Sequence, residues 1–249
     1  MRFPPAVIND VGDLLAALQS HRQSEAVWYR GQSRSTYTLL PSLGRKPFEY
    51  AHERALMTKF KQNALPFLLR RPDDEWDWLF LGRHYGLPTR LLDWSESPLV
   101  ALYFALGESK TEWKQEGVLW ALLPGELNKL AGISPKVPFE IPAFGDDTIL
   151  DNYRPSRIAA PGSSLLLPAA AIAFRDFPRM QAQHSVFTIS HLDQTPIDQL
   201  GTQQHVWSYS VPAARKAHLR LQLVDLAITR LALFPELDNV AALAKASVK

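Results

Sequence analysis

Short apolar or β-prone runs alternate along this chain with stretches of helical period, and that alternation restricts the fold most. Residues 26–30, 117–122, 186–189 and 206–211 read as strands. Helices are expected where apolar residues recur every three or four positions. One follows Asn9-Asp10 with Val11, Leu14, Leu15 and Leu18, and another spans Glu49 to Leu69. A third starts near Asp73-Asp74 and ends at Gly86-Leu87-Pro88. Ser95 or Ser97 caps a fourth, with Pro98 early and an apolar run to Gly107. A short helix is expected near Glu126 to Leu130, and a mostly helical tail runs from about residue 213 to 249, broken at Phe234-Pro235. The segment Leu87 to Ser95 has neither period and reads as a structured loop. The expectation is one α+β domain over 1–249, with its core at about 20–215 and a small mixed or antiparallel sheet surrounded by helices.

Composition narrows the chemistry. The chain has 249 residues, 46% hydrophobic, with no cysteine, so disulfides, thiol nucleophiles and thiolate metal sites are excluded. A formal net charge of +2 gives no sign of a nucleic-acid or anionic-membrane partner. The longest uncharged apolar run, Leu99 to Leu106, is too short to span a bilayer. Residues 1–5 lack a signal-peptide pattern, so a cytoplasmic protein is expected. The seven His include no pair at i, i+4 and no His-Glu-x-x-His, and no metal is expected. Phosphate-loop, dinucleotide-fold and nucleophile-elbow motifs are absent as well. The aromatic residues fall at helical or strand spacing and read as core.

Three blocks concentrate polar chemistry. The densest runs from Gly82 to Ser95 and holds Arg83, His84, Tyr85, Thr89, Arg90 and Asp93 before a helix N-terminus suited to a phosphate or carboxylate. Its structural alternative is an Arg90–Asp93 ion pair with His84 capping the preceding helix. The second is Tyr29-Arg30-Gly31-Gln32. An Arg ending a core strand must be paired or meet an anion, and the glycine permits close backbone approach or positive φ. The third, Arg179 to Phe187, places Gln181, Gln183 and His184 just before a strand, and here ordinary surface amides are the simpler reading.

Over nearly its whole length the chain resembles the FRG domain family, named for an aromatic-Arg-Gly motif. The resemblance rests on Tyr29-Arg30-Gly31-Gln32, residues 37–43, the block His84 to Ser95 with residues 98–105, residues 183–188 and residues 233–237. Arg83 stands where the family usually has Gln, and His184 where a small residue is usual.

The motif order is similar to that of ADP-ribosyltransferases of the Arg–Ser–Glu kind. That similarity implies a split-sheet fold and NAD as substrate. Arg30 would contact the nicotinamide ribose and phosphates, Ser95 and Ser97 would shape the pocket, and Gln183 would stand where a Glu polarises the ribose. The same resemblance places Gly31, Gln32, His84, Tyr85, Thr89, Arg90, Asp93, Trp94 and Ser97 around the nucleotide. Gln183 is neutral and meets developing positive charge less well than a carboxylate, which implies weak transfer, nucleotide binding without transfer, or a different catalytic residue such as Asp93 or Glu53. Three functions follow as expectations: an NAD-using transferase or glycohydrolase acting as a toxin or antiphage effector on a macromolecular acceptor, a non-catalytic nucleotide-binding module, or another enzyme pairing His84 with Asp93 or Glu53.

Overall fold

The computed structural model describes residues 1–45, 49, 52–134, 140–158, 165–193 and 195–246. Seven strands form one sheet: β1 (Ala6–Val7), β2 (Trp28–Gln32), β3 (Leu91–Ser95), β4 (Gly117–Leu122), β5 (Ala169–Ala171), β6 (Ser185–Ile189) and β7 (Val206–Val211). Their order is β1-β7-β4-β2-β3-β6-β5, with only the β1–β7 pair parallel. The helices are α1 (Val11–Ser20), α2 (Glu53–Ala64), α3 (Glu75–His84), α4 (Pro98–Leu106), α5 (Pro124–Leu130), α6 (Pro155–Ile158), α7 (Pro178–Ala182), α8 (Lys216–Asp225), α9 (Arg230–Leu233) and α10 (Leu237–Ala246). None of the described helices is long and apolar enough to cross a membrane.

Local chemistry sets the helix starts. Asp10 caps α1 by accepting from the Asp13 N–H at 2.8 Å. Asp74 and Asp77 form a capping box at the start of α3. Ser97, not Ser95, caps α4, and Pro98 occupies its first turn. Expected helix 49–69 is shorter, with its regular part at Glu53–Ala64; positions 50 and 51 lie outside the described residues.

Residues Leu91–Ser95, expected in a loop, form strand β3. Four of the five are buried, because the strand is covered on both faces and therefore lacks the alternation of a half-exposed strand. Leu91 joins the cluster formed by α2, α3, β5 and β6, whereas Leu92 and Trp94 join the one containing Trp28, Trp120 and Leu127. The third cluster packs α1, α4 and α8 on Leu119, Ala121, Trp207 and Tyr209.

The ladder has one weak seam. β2 shares five register pairs with β4, and β3 shares five with β6, yet β2 and β3 share only Tyr29↔Ser95. The seven strands make one continuous sheet, with this thinly paired step between two well-paired halves. Helix α4 crosses the seam in close contact. A Cβ on Gly31 would stand 1.8 Å from the Ala101 carbonyl oxygen and 2.4 Å from the Ala105 nitrogen. Close approach is therefore what requires the glycine of the Arg-Gly pair, and positive φ plays no part.

Candidate functional site: a cleft over the open seam

A cleft of 410 Å³ lies over the β2–β3 seam, between α3 and α4, with α7 and Phe234 closing one side. Arg30, Asp93 and Gln183, which come from distant segments, all line it, as do Gly31, His84, Trp94 and Ser95. The volume is in the range of small-ligand sites.

Arg30 reaches across the seam, and its Nη1 donates to the Asp93 carbonyl oxygen at 2.5 Å. The side chain thus bridges strands that lack a full ladder. Its Nε is buried with no hydrogen-bond partner, a costly state that an acceptor on a ligand would relieve. Burial lowers the guanidinium to about 10; Asp93 acts against that, and Arg83 and Arg45 add like-charge repulsion. It remains a cation at neutral pH.

Asp93 is the carboxylate among the described cleft-lining residues. Burial pushes its pKa up, but the charge and hydrogen bonds of Arg83 outweigh this and leave it below the ordinary value. Arg83 Nε lies 3.1 Å from Asp93 Oδ2, its Nη2 donates to the same oxygen, and its Nη1 lies 3.3 Å from Ser42 Oγ. Arg83 is in turn raised by Asp93. The Arg45 guanidinium is lowered, chiefly by burial and then by Arg83. Two guanidiniums, Arg30 and Arg83, therefore face one carboxylate, with Arg45 close enough to both to add repulsion, and the surplus positive charge favours an anion.

Ser95 and Gln183 form a main-chain brace. Ser95 Oγ donates to the Gln183 carbonyl at 2.7 Å and accepts from the Ser97 N–H at 3.0 Å. The Gln183 side-chain amide donates to the Leu233 carbonyl at 3.0 Å, which ties α7 to α9. His84 stacks on Phe177 at 4.5 Å and makes no hydrogen bond to a carboxylate among the described residues. Burial, with Arg179 nearby, lowers its pKa and favours the neutral ring.

Other expected ligand residues lie elsewhere. Arg90 is fully buried and bound to Glu53, with Nε 2.7 Å from Oε2, while its Nη1 and Nη2 donate to the carbonyls of Ser190 and Tyr153. The expected Arg90–Asp93 pair is replaced by two separate pairs, Arg90–Glu53 and Arg83–Asp93. Glu53 is thereby committed to the core and stands apart from the cleft. Thr89 is fully buried too, and Tyr85 points outward, 68% exposed. Ser97 serves as the α4 cap. Gln32 is buried; its side chain donates to the Thr38 carbonyl and accepts from the Trp120 indole. It lines an adjacent 310 Å³ chamber that also includes Arg30, Arg45 and Tyr37.

The structure adds residues that local sequence does not single out. Phe80, Phe104 and Phe234, expected in the core, wall the cleft. Arg179, which opens the third polar block, also lines the cleft; it lies 5.0 Å from the Phe234 ring centre and pairs with Glu236 at 2.6 Å. Arg45 carried no sequence signal, since its approach to Arg30 and Arg83 depends on the turn at Ser42–Gly44.

Residues 25–114 match the family model of the FRG domain. No curated protein and no solved structure matches the chain. The matched stretch runs from β2 through α4 and includes Arg30, Asp93 and Ser95, while Gln183 lies beyond it. Over that stretch the chain is similar to the FRG domain.

Proposed function

We propose that the seam cleft binds NAD or a related nucleotide and that the chain is an ADP-ribosyltransferase-like enzyme, of the kind used as a toxin or antiphage effector. The observation that carries this reading is the meeting of Arg30, with its unpartnered Nε, Asp93 and the Gln183 turn in one cationic cleft. Arg30, Ser95 and the Gln183 turn also fall on or beside the neighbouring strands β2, β3 and β6, in the order that the resemblance implies.

In the reaction the C1′–N bond breaks and its electron pair leaves with neutral nicotinamide. The ribosyl carbon gains positive charge until water or a macromolecular nucleophile bonds to C1′ and gives up a proton. Arg30 and Arg83 hold the phosphates, fixing the ribose in place. The carboxylate of Asp93 faces the developing positive charge, the task a neutral Gln183 performs poorly. Phe80, Phe104 and Phe234 exclude water and offer flat faces to a nicotinamide or base.

The test is release of labelled nicotinamide from NAD. The wild type should release it, Arg30→Ala should lose at least about 100-fold, and Asp93→Asn should lose a similar factor. No release by folded wild-type protein with water or a cell extract as acceptor would refute the catalytic reading.

Binding without transfer is a second reading, favoured by the commitment of Ser95 Oγ and the Gln183 amide to main-chain carbonyls. It predicts thermal stabilisation by nucleotides with no nicotinamide released.

A further inference from the structure

We propose that a second groove, on the far side of Phe80, docks a cationic, aromatic-bearing polypeptide segment of a partner protein. The groove has a volume of 630 Å³, and Phe80 forms the wall it shares with the seam cleft. Its floor is aromatic: Trp76 lies 4.9 Å from Phe144, and Phe80 5.3 Å from Phe144. Phe174 on its edge is 60% exposed, a large apolar surface left open to a partner.

Charge selects the partner. Five aspartates and two arginines line the groove among the described residues. Asp74 pairs with Arg154 and Asp73 with Arg70, and Asp77 accepts from the N–H groups of residues 73 and 74. The carboxylates of Asp146 and Asp176 are exposed; neither has a hydrogen bond or close ion pair among the described residues, and Asp176 feels Arg70 only through longer-range attraction. An acidic rim over aromatic rings suits guanidinium or ammonium groups and repels phosphate backbones.

The chain already makes this kind of contact internally. Arg154 lies 5.3 Å from the Trp76 ring centre while its Nη1 pairs with Asp74 at 2.5 Å. An incoming arginine would meet the same chemistry at Phe174, Asp146 and Asp176. The groove is thus opposite in sign to the seam cleft, and one molecule presents an anion site and a cation site side by side.

The experiment is fluorescence anisotropy on the full chain without nucleotide, using a labelled peptide of arginine and phenylalanine. The same peptide with glutamate for arginine, and a single-stranded RNA, serve as the other probes. Binding of the basic peptide should weaken with added salt and fall about tenfold in Asp146→Asn/Asp176→Asn. Phe174→Ala should weaken it, and Arg30→Ala should leave it unchanged. Because no nucleotide is present, the outcome is independent of nicotinamide release. Absence of binding, equal binding of the acidic peptide or of RNA, or full affinity in the double asparagine variant would overturn the proposal.

Discussion

Replacing Gly31 by Ala tests how the seam is built. The added methyl would stand 1.8 Å from the Ala101 carbonyl oxygen and 2.4 Å from the Ala105 nitrogen. Both obstacles are α4 backbone, so no side-chain rotation relieves them. Real Cβ atoms essentially never come within 3.0 Å of such atoms, so helix or strand must give way by about 1.2 Å. Overpacking of a well-filled interior costs typically about 1–3 kcal/mol, and a backbone obstacle belongs at the upper end. For a chain of this size, about 3 kcal/mol lowers Tm by roughly 6–12 °C. The control is Gly125→Ala, whose methyl would meet only the end of the Glu25 side chain at 3.2 Å; its Tm should move little. Thermal unfolding followed by circular dichroism reads both. The same displacement shifts Val100, Ala101 and Phe104 in the cleft wall, so nucleotide stabilisation should fall as well. A Gly31→Ala protein melting within about 2 °C of wild type would refute the close-packed seam.

Three other changes probe the core and the cleft. Glu53→Gln leaves the fully buried Arg90 without its counter-charge and should cost about 3–5 kcal/mol in urea unfolding. Arg83→Gln removes the Asp93 partner. Asp93 should then titrate at higher pH by NMR and nucleotide affinity should drop, because the cleft loses a cation. Burial also lowers His84, His191 and His205 in the folded protein. As pH falls through about 6.5 the unfolded chain binds those protons first, so unfolding takes up protons and stability falls. Tm should decline from pH 7 to below pH 6 on that account, with a smaller slope in His205→Gln; an unchanged slope would remove His205 from the cause.

Much of the fold was legible wherever a local rule dominates. Asp10, Asp74 and Ser97 cap the helices they announce, and four apolar or β-prone runs form strands close to their expected bounds. β3 was illegible because a strand covered on both faces loses its alternation, and Leu91-Leu92-Asp93-Trp94-Ser95 also follows a Gly-Leu-Pro turn. β1 and β5 are two and three residues long and exist only through their neighbours. In the site, the convergence of Arg30, Asp93 and Gln183 followed from motif order. Charge pairing did not, since Arg83 and Arg90 flank the same turn and only the fold decides which meets Asp93. Phe104 and Phe234 carry a core-like pattern because a cleft wall and a core present the same apolar face to sequence.

The most direct measurement is a crystal structure of the full chain grown with NAD. A phosphate oxygen within about 3 Å of Arg30 Nε, and the ribose beside Asp93, is the result expected. Nucleotide bound away from the β2–β3 seam, or an empty cleft at saturating NAD with Arg30 Nε still buried and unpartnered, would contradict it.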